Sequence, residues 1–385
     1  MRALFVSHTY IPRFNREKLR MIASQGVEVG LFAPSNWKNL GGLFEGQPAP
    51  IEEPSADPEI RVFPSGTWRP GHIASYFFDP LAVRRVLREF RPDVIQVEQE
   101  VYSFAAAQIA LQRTAAQRLV IFSWENLDRP IHPVQRLARK IVLGRADAVI
   151  SGNRAGGELM RHWGFRGQVE VLPQVGVDPA RYPERPHARE GEPLRIGFVG
   201  RLVPEKGGDD LIRAAARLAA SGLDFRLVFC GAGPCDVVWH SLAESLGLAN
   251  RIDWHGSVPH AEVPRFMQGM DMLVLPSLTT ETWSEQFGLV LPQAMLVGMP
   301  VIGSDSGAIP EVIGLPAAIF PEGDSDALAV ILERLLRSPD LRSEWRAAGR
   351  QRALAEYSAG HVAAETVRIW KSIEVAPSKP SPPRG

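Results

Sequence analysis

Two stretches in the second half of the chain carry side chains whose types and spacing suit binding chemistry. In GFVGRLVPEKGGDDLIRAAARLA, from Gly197 onward, an apolar run ends at Gly200 and is followed by Arg201, Lys206 and the pattern of an amphipathic helix from about Gly208. Two cations beside a helix start make an anion site: the side chains neutralise charge, and the first-turn amides point the same way without intrahelical partners. Glycines there let backbone approach a ligand closely, and the chemistry fits a diphosphate. Taken alone, such a turn is more often a solvated basic surface. In TETWSEQFGLVLPQAMLVGMPVIGSDSGAIPE, Glu285 precedes Phe287 and Gly288, where a helix is expected to begin. A carboxylate beside helix-start amides suits sugar hydroxyls, because the carboxylate accepts their protons and N–H groups donate to their oxygens. The plainer alternative is a first-turn acid favoured by the helix dipole. Asp209 and Asp210, adjacent in a first turn, favour capping over metal ligation.

Composition limits what these stretches can belong to. At 385 residues and 42.4 kDa, about 150 residues per domain gives a prior of two domains, or three. With 45% hydrophobic and 22% charged residues, the chain reads as soluble and globular, and disorder, collagen and coiled coil fit poorly. Basic and acidic residues number 43 each, so the overall field favours neither polyanions nor polycations and a dedicated nucleic-acid binder is disfavoured. Cys230 and Cys235 make neither a disulfide framework, a metal quartet nor a CxxC pair. A reduced, cytoplasmic compartment is expected, since the apolar run in MRALFVSHTYIP is too short for a signal peptide or a membrane span of about 20 residues.

Strands and helices must position the two stretches. In the first half ALFVSH, VEVGLFA, EIRVF, DVIQVE, RLVIFSW, DAVIS and QVEVL read as strands, with helices over 16–25, 80–90, 103–114, 133–143 and 153–163. Over 80–90, Val83, Val86, Leu87 and Phe90 form the one-sided stripe of a helix docked on a sheet. DPARYPERPHAREGEP, after Val177, reads as a linker. The pattern then restarts with strands LRIGFVG, FRLVFCG, RIDWHG, MLVLPS, PVIGS and AAIF, and helices over 208–220, 235–246, 261–270, 287–297, 325–336, 341–357 and 361–373. The fold class is α/β, with two doubly wound parallel-sheet domains over 1–178 and 190–358 facing across a cleft. The helix at 361–373 is expected to pack back on the first domain, and the tail 374–385 to be disordered. Open parallel sheets hold ligands outside the carboxyl ends of their strands, which is where both stretches fall.

Together these segments resemble the retaining GT-B glycosyltransferases, in particular glycosyltransferase family 4. The resemblance is carried by FVSHTYIP, VLPQVGVDP, GRLVPEKG, FCGAGP, HGSVPHAEVPRFM, EQFGLVLPQAM and GSDSGAIPE, five of them in family order in the C-terminal half. It implies a metal-independent transfer of sugar from a nucleotide-diphosphate donor to a saccharide or lipid-linked acceptor, with retention of anomeric configuration and no cofactor. Arg201 and Lys206 match the pair that binds the diphosphate and stabilises the leaving group. Glu285 matches the first acid of the family's E-x7-E motif, and the amides of Phe287, Gly288 and Leu289 match those that hold sugar hydroxyls. Gly200 and Val258 fall with the donor-binding positions. The second motif acid is replaced by Gln293, a neutral partner for a ribose hydroxyl, which puts donor affinity or nucleotide preference in question.

The first half departs further from the family pattern. Where many relatives carry a glycine pair after the first strand, this chain has HTYIPRFNREK, so His8 and Asn15 are candidates for a polar contact on the acceptor side. Where relatives often carry a histidine after the strand corresponding to RLVIFSW, it has Ser123, Trp124, Glu125 and Asn126. Trp124 could stack on a sugar face and Glu125 and Asn126 bond hydroxyls; a packed tryptophan beside a helix start is the equal alternative. Glu98 and Glu100, ending DVIQVE, are further acceptor-side candidates. HPVQRLARKIVLGR, with the cluster Tyr76, Phe77 and Phe78, could make a peripheral contact with an anionic bilayer, although a sheet-covering helix with a basic edge is preferred. Two other functions share the fold: a catalytically silent nucleotide-sugar binder, in keeping with Gln293, and a nucleotide-sugar epimerase. A dehydrogenase is disfavoured, because GAGPCD lacks the third glycine of a dinucleotide fingerprint.

Overall fold

The computed structural model describes residues 1–38, 49–51, 57–185 and 192–373. The tail 374–385 and part of the expected linker, 186–191, lie outside the described residues. The chain divides into two compact units: Met1–Gly176 joined by the segment from Ala359 onward, and Val177–Ser358.

The first unit is built on a seven-stranded, wholly parallel sheet of β1 (Arg2–Val6), β2 (Glu28–Pro34), β3 (Ile60–Ser65), β4 (Val94–Glu98), β5 (Arg118–Ser123), β6 (Ala148–Ser151) and β7 (Gln168–Val171), in the order β7-β6-β5-β4-β1-β2-β3. Helices cover both faces of such a sheet, so its central strands are apolar throughout rather than alternating. Ala3, Leu4, Phe5 and Val6 are all fully buried. The order reverses between β1 and β4, and the carboxyl ends there, Val6 and Glu98, flank the crevice where doubly wound sheets hold ligands.

The helix stripe read from the sequence is present in α2 (Pro80–Phe90), where Val83, Val86, Leu87 and Phe90 are buried. Its first turn is capped by the Asp79 carboxylate, which accepts from the Leu81 amide at 2.9 Å. The last described helix (Ala359–Ser372) belongs to this unit, with Trp370 fully buried and its Nε1 donating to Gln96 Oε1 at 2.7 Å. Helix 16–25 of the sequence reading is a 3-10 turn (Arg13–Arg16) followed by α1 (Glu17–Ala23).

The second unit carries a six-stranded parallel sheet of β8 (Leu194–Val199), β9 (Phe225–Cys230), β10 (Ile252–Trp254), β11 (Met272–Leu275), β12 (Val301–Ser304) and β13 (Ile319–Phe320), in the order β10-β9-β8-β11-β12-β13. Its reversal lies between β8 and β11. The helix expected over 287–297 begins only at Val290, because Gly288 sits at φ +71 in the left-handed region. The helix expected over 341–357 is α-helical over Pro339–Arg352 and ends in a π turn (Ala353–Tyr357). Both cysteines are free thiols.

Among the charges the first unit buries, Asp57 organises the entry to α1. Its Oδ2 accepts from Arg16 Nη1 at 2.8 Å, and its Oδ1 from Arg20 Nε at 2.9 Å and Arg13 Nε at 3.2 Å. Arg16 is itself fully buried and spends its other N–H groups on the carbonyls of Tyr10 and Ile11. Burial opposes ionisation of Asp57, but the three guanidinium groups outweigh it and hold the carboxyl below its ordinary 3.8. Asp57→Ala leaves a buried guanidinium uncompensated, and we expect a loss of about 3–5 kcal/mol in denaturant unfolding at pH 7. With a native pKa below the unfolded one, this contribution is complete above the unfolded value and is lost as pH falls through the native value, so parent and variant should converge at acid pH.

Candidate active site

In the second unit the two sequence stretches meet at the switch point between β8 and β11. The loop after β8 runs from Gly200 through Arg201 to a 3-10 turn (Pro204–Lys206) and then into α6 (Gly208–Ala220). Gly207 joins turn and helix at φ +62, and a Cβ there would lie 1.9 Å from the Pro276 carbonyl oxygen, so only glycine permits this approach to the end of β11. The contact brings Lys206 to Glu285, with Nζ 2.5 Å from Oε2. Ser277 Oγ donates to the same oxygen at 2.8 Å. From the other side the loop after β12 braces Glu285, whose carbonyl accepts from the Ala308 amide at 2.8 Å.

Around this pair the expected donor residues divide by exposure. Arg201 is exposed, its guanidinium 3.7 Å from Glu205 Oε1. Gly200 is half-buried, its amide donating to the Cys230 carbonyl at 3.0 Å. Phe287 is buried edge-on against Tyr357, Gly288 is half-buried, and Leu289 is exposed as the residue preceding the helix Val290–Val297. Gln293 is buried within that helix. Val258 is half-buried and lines a cavity of about 330 Å³ with His255, Arg265 and Phe266. Asp209 and Asp210 do not cap α6, because the cap position is Gly207. Asp210 Oδ2 is buried without a partner, and burial, then the neighbouring Asp209, pushes its carboxyl up to about 6.

In the first unit, the acceptor-side candidates are drawn largely into packing. The Glu98 carboxylate is buried and accepts from Lys18 Nζ (2.7 Å), Gln96 Nε2 (2.8 Å) and Gln174 Nε2 (3.0 Å). These bonds tie Glu98, one of the acceptor-side candidates, to α1 and to the segment after β7. Trp124 is half-buried, edge-on to Phe122, and donates from Nε1 to Gln174 Oε1 at 2.9 Å. His8 stacks on Trp37 at 4.6 Å and lies 2.7 Å from Gln99 Nε2 through Nδ1. Burial lowers its pKa to about 4, so it is neutral near pH 7. Asn15 donates to the Thr9 carbonyl at 2.7 Å and shapes the loop after β1.

Glu100 and Glu125 form a second carboxylate cluster at the carboxyl ends of β4 and β5. Glu100 accepts from Ser123 Oγ and from the amides of Trp124 (3.1 Å) and Glu125 (3.2 Å). Burial, partly countered by the Ser123 hydrogen bond and reinforced by the Glu125 charge, pushes it up to about 7. Glu125 is buried between Tyr102 OH (2.6 Å) and Arg129 Nη2 (3.0 Å). Asn126 is half-buried beside them. Of the aromatic cluster weighed for a bilayer contact, Tyr76 and Phe78 are buried, in keeping with the preferred packed reading, and Phe77 stacks on Trp68. Sequence reasoning missed Tyr102 and Arg129, which carry no motif, and Lys18, Trp283 and Ser277, which lie inside or beside quoted segments.

Comparison with known proteins covers both units. Residues 11–174 match the family model described as glycosyl transferase 4-like domain, and residues 183–352 the one described as glycosyl transferases group 1. The chain is similar to the GDP-mannose-dependent alpha-(1-6)-phosphatidylinositol monomannoside mannosyltransferase of Mycolicibacterium smegmatis, at 30% identity over 278 residues, 66% of this chain and 71% of that protein. It is also similar to the 2-deoxystreptamine glucosyltransferase of Streptomyces kanamyceticus, at 28% over 306 residues, 72% and 77% of the two proteins. In fold it resembles sucrose-phosphate synthase of Thermosynechococcus elongatus (TM-score 0.73, 18% identity, 96% and 98% of the two chains). It likewise resembles Anabaena HepE solved in complex with UDP (TM-score 0.71, 20% identity, 97% and 100%). Both family models and a relative 30% identical over 71% of its length thus point the same way: the chain belongs to the GT-B glycosyltransferases of the family 4 type.

Proposed function

We propose that this glycosyltransferase moves a sugar from a nucleoside-diphosphate donor to an acceptor hydroxyl with retention of configuration and without a metal ion. The observation that carries the reading is the Lys206–Glu285 pair at the switch point of the second sheet, with Arg201 exposed on the same loop as Lys206. Breaking the bond between the anomeric carbon and the diphosphate leaves negative charge on the departing phosphate. Lys206 and Arg201, turned to that charge, would supply the electrostatic term a divalent ion supplies elsewhere. Glu285 then accepts from sugar hydroxyls. The acceptor oxygen bonds the anomeric carbon on the face the phosphate leaves, and its proton passes to a phosphate oxygen. Gln293 offers a neutral partner to the ribose.

The acceptor is proposed to be a saccharide or a lipid-linked molecule, reached from a membrane surface. The supporting observation is α4 (Pro133–Leu143), which buries Ala138 and Val142 but leaves Val134 and Leu137 more than half exposed beside Arg136 and Lys140. This differs from the sheet-covering helix expected, whose apolar residues would all be packed. An apolar stripe with a basic rim and no acid suits an anionic interface. No helix among the described residues is long and apolar enough to cross a membrane.

A panel of UDP- and GDP-sugars with mass detection of products tests the donor. Donor binding without hydrolysis or transfer would favour a silent binder, and isomerised donor an epimerase. Arg201→Ala and Lys206→Ala should each weaken nucleoside-diphosphate binding and lower turnover at least roughly tenfold, about 1.4 kcal/mol. Unchanged kinetics in both would move the site elsewhere. Turnover should persist in excess chelator, and product anomers read by NMR should match the donor. In sedimentation, vesicles rich in phosphatidylglycerol should retain the protein more than neutral ones, and Leu137→Glu should reduce that retention.

A further inference from the structure

The loop between β11 and the helix Val290–Val297 carries an aromatic residue with no part in the transfer proposed for the site. Trp283 is half-buried, between exposed Glu281 and Thr282 and buried Ser284 and Glu285. Its ring lies under the Lys206 ammonium, with Nζ 4.8 Å from the ring centroid. The ammonium is therefore held by two groups of different kind: the Glu285 carboxylate at 2.5 Å and the indole face.

The backbone fixes the indole there. Thr280 and Trp283 close a tight turn through Thr280 N to Trp283 O at 2.7 Å and Trp283 N to Thr280 Oγ1 at 3.0 Å. The loop is tied to its surroundings by Leu278 N to Glu205 O (2.9 Å), Thr279 N to Glu322 Oε2 (2.6 Å) and Thr279 Oγ1 with Ser306 Oγ (2.9 Å). The first tie joins the loop to the turn that ends at Lys206, so ring and ammonium are placed by one framework.

A carboxylate alone would be a poor seat for a cation that must also serve a phosphate. It holds the ammonium by full charge and would compete with the incoming anion, while Glu285 itself is needed for hydroxyls. An aromatic face attracts a cation through its quadrupole and brings no countercharge. We propose that Trp283 is a positioning residue for the donor site, holding Lys206 extended toward the diphosphate when Glu285 turns to the sugar. The inference rests on the proposed diphosphate role of Lys206.

The test is a double-mutant cycle in the full chain, with UDP and GDP binding read by calorimetry and kcat and KM measured on the donor found active. Trp283→Leu keeps an apolar side chain and removes the quadrupole; it should weaken nucleoside-diphosphate binding about three- to tenfold. Trp283→Phe should recover most of that loss. In a Lys206→Ala background Trp283→Leu should have little further effect, because its partner is gone. An equal loss with and without Lys206, or a Phe variant no better than Leu, would make Trp283 a packing residue and overturn the inference. If Lys206→Ala itself leaves nucleotide binding intact, the diphosphate reading fails instead, whatever Trp283 does. Thermal unfolding of each variant separates a folding defect from a binding one.

Discussion

Lys206 and Glu285 are 79 residues apart in sequence and 2.5 Å apart in space, and much of the second unit's loop structure serves that meeting. Bringing an ammonium and a carboxylate out of water is costly unless the geometry is good and the remaining oxygens are bonded. Here Ser277 also bonds the carboxylate, the loop after β12 fixes its backbone, and an indole faces the ammonium. The glycine at 207 is part of the same constraint, since any side chain there would push the turn off the end of β11 and separate the pair. In the proposed reaction the pair is a resting arrangement from which each partner turns to its own part of the donor.

The strand framework was readable residue by residue. All thirteen runs picked out by apolar clustering pair in the two main sheets, because a parallel sheet buried on both faces writes itself as short continuous apolar runs. Helix ends were less legible where a special backbone conformation decides them. Gly288 delays a helix that its apolar content would start earlier, and the helix Pro339–Arg352 passes into a π turn that apolar periodicity does not mark. The small antiparallel pairs Asn36–Trp37 with Ala49–Pro50 and Thr67–Trp68 with Phe77–Phe78 were not anticipated. Two-residue strands leave no periodicity to read.

The site was legible in proportion to how local it is. Arg201, Lys206 and Glu285 announce themselves because each lies in a short motif at a strand end. The surroundings of Glu98 are not legible, because its position at the end of β4 is visible in the sequence while Lys18 and Gln174, which join Gln96 on its oxygens, come from distant segments. The same holds for Glu100, whose pKa near 7 arises from enclosure and a neighbouring charge. Trp283 lies within the stretch TETWSEQ, where an indole in a loop reads as packing until the cation over its face is seen.

The first unit is made of two separated pieces of chain, and this has a consequence for biosynthesis. The groove that Trp370 fills, with its bond to Gln96 and the Arg118 hydrogen bond to its carbonyl at 2.9 Å, stays open on the ribosome until the closing helix emerges. The whole second unit is translated in between. The early part must therefore wait with an apolar flank exposed, which gives holding chaperones a defined interval in which to act.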